Sequence, residues 1–92
     1  MRHRIKIFSG GCTLCQAAVD TVELGKCKDC KAKVIDVGDR RNSRLVKKFG
    51  ITAVPSIVID ERIKVVGLPN FPWFCGDGFY KMLEEKYPLK TS

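Results

Sequence analysis

Ile5-Lys6-Ile7-Phe8-Ser9-Gly10-Gly11-Cys12-Thr13-Leu14-Cys15 decides how the rest of the chain is read. Ile5 to Phe8 is a short β-branched and aromatic run, the signature of a strand, and Ser9-Gly10-Gly11 closes it with residues that permit a tight turn. From Cys12 onward the small and apolar residues Cys15, Ala18, Val19 and Val22 recur at helical spacing, and Gly25 supplies a stop. A helix therefore starts at the C-x-x-C, directly after a strand and a glycine turn.

Working outward, Ala32 to Val37 reads as a second strand ending at Gly38-Asp39. A helical crossover of this length makes it parallel to the first. Asn42 or Ser43 is positioned to cap a second helix through Phe49, with Gly50 as its left-handed terminator. Ser56 to Ile59 and Ile63 to Val66, separated only by Asp60-Glu61-Arg62, form an antiparallel hairpin. A last helix spans about Asp77 to Tyr87, with Phe79, Leu83 and Tyr87 on one face. The expected order is βαβαββα: an α/β chain with a four-stranded mixed sheet and three helices.

The 92 residues carry 45% hydrophobic side chains, enough for one buried core and too few for a second domain. No apolar run is long enough to span a membrane, and no secretory leader precedes the first strand, so the expected compartment is cytoplasmic. Seventeen basic against ten acidic residues give a net charge of +7. Such a charge favours solubility and anionic partners, but basic residues are not interleaved with aromatic ones as an RNA-binding sheet requires, so neither nucleic acid nor membrane is an expected partner.

Five cysteines in a cytosolic chain point to redox or metal chemistry rather than to a structural disulfide framework. Cys12 lies where backbone N–H groups at a helix start favour a thiolate, a setting that lowers a thiol pKa from about 8.5 to about 3.5–7.5. It is the expected nucleophile, and Cys15, nearly one turn on, is the expected resolving thiol. The competing reading is a metal site, because Cys12, Cys15, Cys27 and Cys30 together spell C-x2-C-x11-C-x2-C. Against it, a helix separates the two pairs, whereas four zinc ligands must converge. Cys27 and Cys30, in a lysine-rich connection, are read as an auxiliary redox pair, as inert thiols or as an independent metal site.

With Gly11-Cys12-Thr13-Leu14-Cys15 after the first strand and Lys48-Phe49-Gly50-Ile51 leading into Val54-Pro55-Ser56, the chain resembles the thioredoxin superfamily. The resemblance covers nearly all of residues 1–92, read as a single thioredoxin-like domain. It implies a cis Val54–Pro55 bond beside the cysteine pair and a substrate backbone pairing there. It also implies a thiol-disulfide oxidoreductase without a bound cofactor, acting as a monomer on a disulfide-bearing protein and restored by an upstream reductase or small thiol. The short length and the strand before Gly11 are similar to a glutaredoxin, which keeps glutathione open as a partner through Val54 and Cys75-Gly76-Asp77. The chain departs from both branches at Thr13-Leu14, at Gly11 and at Lys6. Lys6 is read as snorkelling to the surface or as a proton relay behind Cys15. The loop after Gly67, holding Phe71, Trp73, Phe74 and Cys75, is expected either to rim the active site, with Gly11, Val54, Pro55 and Trp73 contacting substrate, or to cap the core. A redox-dead adaptor using that loop is the third reading.

Overall fold

β1 (Arg4–Ser9) is a central strand because it alternates: Ile5 and Ile7 face one side, Phe8 the other, and all three are at most 1% exposed. A computed structural model describes residues 3–25, 30–69, 71, 73 and 77–89. The remaining elements are α1 (Thr13–Gly25), β2 (Lys31–Asp36), a 3-10 turn (Arg40–Asn42) running into α2 (Ser43–Lys48), β3 (Ser56–Ile59), β4 (Ile63–Val66) and α3 (Asp77–Lys86). The expected βαβαββα order holds.

The strands lie in the order β2-β1-β3-β4. β1 pairs in parallel with β2 (Ile7 opposite Val34) and antiparallel with β3 (Ile7 opposite Ile57), and β4 completes the hairpin (Ile57 opposite Val65). Between β3 and β4, Asp60 and Glu61 both take positive φ, as a tight hairpin with the right-handed twist favours. The Asp60 carboxylate then accepts from the Arg4 N–H (2.8 Å) and bonds His3 Nδ1 (2.6 Å), which ties the turn to the start of β1.

Two apolar clusters sandwich the sheet. One joins Ile5, Ile7, Ile57, Ile59, Ile63 and Val65 to Ala18 and Val22 of α1 and to Tyr80 and Leu83 of α3. The other, on the opposite face, is smaller: Phe8, Ile35, Phe49 and Val58, closed by Leu45 and Val46 of α2. Full burial of each such aliphatic or aromatic side chain contributes about 1.5–3 kcal/mol relative to exposure, so the larger cluster supplies most of the driving force.

Two local expectations are corrected. Asn42 does take the N-cap position of α2 but makes no side-chain cap bond there; the capping side chain is that of Asp39, which accepts from the Arg41 N–H at the start of the preceding 3-10 turn. The 3-10 turn moves the chain reversal three residues upstream, and the Asn42 side chain instead donates to the Asp36 carbonyl (2.9 Å). Lys6 is not behind Cys15: it stands on the α2 side with its ammonium 5.7 Å from the Phe49 ring centre, because Ile5 and Ile7 take the α1 side. Among the described residues, no helix is long and apolar enough to cross a membrane.

Candidate functional site: the start of the first helix

Cys12 occupies the residue just before α1, and its sulfur plays the part that a serine or threonine oxygen plays at other helix starts. The Cys15 N–H donates to Cys12 Sγ (3.2 Å), and the Gln16 N–H donates to the Cys12 carbonyl (3.1 Å), the first bond of the helix. The first turn of α1 contains no acidic residue. No side-chain carboxylate within it answers the helix dipole, and the Cys12 sulfur is the group placed to do so.

Cys12 and Cys15 are joined as a disulfide with their Cα atoms 5.0 Å apart. Their surroundings differ sharply: Cys12 is exposed, whereas Cys15 is fully buried. Cys15 Sγ also accepts from the Gly10 N–H (3.4 Å). Of the two, Cys12 is the sulfur open to attack from outside, and Cys15 lies behind it within bonding reach.

The turn before the pair is built from its residue types. Gly11 has a φ of 78°, a conformation that costs an L side chain about 1–2 kcal/mol, and its N–H donates to the Ser9 hydroxyl (3.1 Å). At Gly10 a Cβ would come within 3.1 Å of Val54 Cγ2, so the absence of a side chain lets residue 54 close over the turn. Sequence reasoning named Gly10 only as a turn former; its closeness to Val54 is a tertiary fact.

Val54–Pro55 is a cis peptide, as the resemblance implied, and Pro55 is fully buried. The Pro55 carbonyl accepts from the Gly67 N–H (2.7 Å), and the Ser56 hydroxyl, 1% exposed, donates to the Ala53 carbonyl (2.6 Å). Ser56, part of the Val54-Pro55-Ser56 stretch in the sequence, here ties the bend that carries Val54 to Gly10. Beside that bend, Val37, Val46, Ile51, Thr52, Ala53 and Val54 line an apolar groove of about 320 Å³. Leu14 (57% exposed) and Leu68 add apolar surface near the same end of the sheet.

Trp73 is not part of this site. It is 5% exposed and lies at the far end of α1, where a Cβ on Gly25 would overlap its backbone carbonyl. A helix of this length at about 1.5 Å per residue sets that end roughly 20 Å from Cys12. There Trp73 Nε1–H donates to the Tyr80 hydroxyl (3.3 Å), and Phe71 and Phe79 pack around the indole. Of the two roles open to this loop, Trp73 takes core capping, because it stands against Gly25 at the end of α1 and bonds Tyr80 of α3. Phe74 and Cys75 lie outside the described residues, as do Gly76 and the Asp77 side chain.

Cys30 is likewise remote from the pair. It is a buried thiol (2% exposed) packed in the core cluster that holds Trp73 and Tyr80, and the Lys31 N–H beside it donates to the His3 carbonyl at the start of β1. Tyr80 is pushed up to about 12, chiefly by burial and partly by its bond to Cys30. Six residues of strand at about 3.3 Å each separate Cys30 from the Cys12 turn, so it cannot share a tetrahedral site with Cys12 and Cys15. Cys27 lies outside the described residues. Among the described residues, no group of three or more His, Cys, Asp or Glu side chains could hold a metal ion.

The family model described as "Thioredoxin domain" matches residues 3–71. The chain is similar to an "Uncharacterized 9.0 kDa protein in mobE 3'region" of Acidithiobacillus ferrooxidans, with 26% identity over 62 residues, covering 67% of this chain and 73% of the relative. No solved structure matches.

Proposed function

Starting from the fact that this chain belongs to the thioredoxin domain family, we propose that it is a thiol-disulfide oxidoreductase that reduces disulfides, those of proteins foremost, through Cys12 and Cys15. The observation that carries this reading is the asymmetry of the pair. One sulfur is exposed and accepts a helix N-terminal N–H, and its partner is buried behind it within bonding reach.

In the reduced state the Cys12 thiolate attacks one sulfur of a substrate disulfide. A Cys12–substrate disulfide forms, the substrate S–S bond breaks, and the departing sulfur leaves as a thiolate that takes a proton from solvent. Cys15 then loses its proton and attacks Cys12 Sγ, forming the Cys12–Cys15 disulfide and releasing the second substrate sulfur. Two electrons pass from protein to substrate. A small thiol such as glutathione, or a reductase, restores the dithiol by the reverse exchange.

The backbone does most of the catalytic support. The Cys15 N–H and the start of α1 stabilise negative charge on Cys12, and the bend at Ala53–Pro55 presents backbone beside it for an extended substrate. Reduced protein with Cys15→Ser should trap a covalent Cys12 adduct with a model protein disulfide, whereas Cys12→Ser should form none. Turnover that survives in Cys12→Ser, read by insulin precipitation, would rule the reading out.

A further inference from the structure

The positive charge of this protein is sorted by the sheet. On the α2 side, alternation and register place Arg4 and Lys6 of β1 beside Lys31 and Lys33 of β2, in the same rows as Phe8 and Ile35 of the smaller core. Arg4, Lys31 and Lys33 are exposed. Neighbouring strands are about 4.8 Å apart, so two like-charged pairs face each other across β1 and β2, an arrangement that costs stability. Lys64 of β4 joins this face and donates to the Phe49 and Gly50 carbonyls (3.3 Å each), which leaves its charge uncompensated. Residues 39–48 add Arg40, Arg41, Arg44, Lys47 and Lys48 against a single acid, Asp39.

The acids on this side are already engaged. Asp39 pairs with Arg41 (2.8 Å) and Glu61 with Lys48 (3.0 Å), and Asp60 is hydrogen-bonded to His3 (2.6 Å) and to the Arg4 N–H (2.8 Å). Lys48, with Lys6 and Arg4 further off, holds the Glu61 carboxyl below its ordinary range, so it stays ionised and paired. The opposite side has another character: α1 carries Asp20 and Glu23 with no basic residue, and α3 carries Asp77, Glu84 and Glu85 against Lys81 and Lys86. Among the described residues, the excess of positive charge is thus displayed on one side.

That side also holds the apolar groove of Val37, Val46 and 51–54, whose Val54 end abuts the turn before Cys12. Resting on the oxidoreductase reading, we propose that the redox partner of Cys12 is a protein with an acidic surface, docked across α2 and the bare part of the sheet with its disulfide beside Val54. The span from Arg4 to Ser9, about 20 Å of strand, exceeds what a small thiol can contact. A nucleic acid fits less well, because the aromatic rings on this face, Phe8 and Phe49, are buried at 0% and 3% and offer no stacking platform.

The test compares reduction of three peptides that share one disulfide core and carry glutamate, lysine or neutral flanks, using fully reduced wild-type protein. At low ionic strength the glutamate-flanked peptide should react about tenfold or more faster than the lysine-flanked one, and the ratio should shrink towards one near 0.3 M salt. In a Lys31→Glu/Lys33→Glu variant, the same ratio at low salt should fall at least about threefold. The ratio is internal to each sample and is not altered by a partly unfolded fraction. A neutral peptide reduced normally, with equal rates for the two charged ones, overturns the docking proposal alone. A neutral peptide left intact overturns the redox reading and the proposal together. Tight duplex DNA binding lost in the variant, with no charge preference among peptides, assigns the face to nucleic acid and overturns it as well.

Discussion

Cys12-x-x-Cys15 and Cys27-x-x-Cys30 are spelled alike, yet Cys12 and Cys30 sit at opposite ends of β1 in opposite conditions. Cys12 is exposed, uncrowded and bonded by a helix N-terminal N–H. Cys30 is sealed among Trp73, Tyr80 and the apolar face of the sheet. Thiol reactivity follows access and thiolate stabilisation rather than spacing, so the same motif presents an open sulfur at one end and a packing sulfur at the other.

The largest effect expected from this contrast is on turnover: Cys12→Ser should lower disulfide reduction by about a thousandfold or more, and Cys30→Ala should leave the rate per folded molecule within about twofold. Equal losses in an insulin-reduction assay would erase the distinction. Next comes stability at the aromatic end, where Trp73→Ala should cost about 3–5 kcal/mol in denaturant unfolding, with the rate per folded molecule kept. A selective loss of rate without loss of stability would return Trp73 to the substrate site.

Gly11→Ala should cost about 1–2 kcal/mol, because its positive φ is retained only under strain. Tyr80→Phe removes the acceptor for Trp73 Nε1–H and the partner of Cys30, a loss of about 1 kcal/mol. Ultraviolet titration should then lose the phenol that ionises near 12. Because that value lies above the unfolded tyrosine's, the folded state holds the proton more tightly. Its contribution is complete below the unfolded value and disappears as pH rises from about 10 to about 12, so Tyr80→Phe should flatten the alkaline limb of the stability profile.

The parts legible in the sequence were those written locally. β-branched residues followed by Ser9-Gly10-Gly11 announce the strand, the turn and the helix start, and Gly50 and Pro55 punctuate the approach to β3. Alternation at Ile5, Lys6 and Ile7 already separated the lysine from the isoleucines. What it could not say is which face α1 covers, and hence that Lys6 lies against Phe49 rather than behind Cys15. Asn42 marks the start of α2 as its residue type suggests, but the 3-10 turn before it, capped by Asp39, has no local signature that separates it from the helix. The place of Trp73 was beyond local reading altogether. It is set by Trp73 meeting Gly25 across tens of residues and Tyr80 on the next helix, and by a glycine whose importance lies in what stands against it.

β1 is an interior strand, flanked by β2 on one side and β3 on the other, and Cys12 follows it by only a short turn. Amide protons of β1 should accordingly be among the last to exchange with deuterium, while those of the outer strands exchange sooner. The exposed Cys12 sulfur is moored to the most persistent part of the scaffold, so breathing at the margins need not perturb where it points.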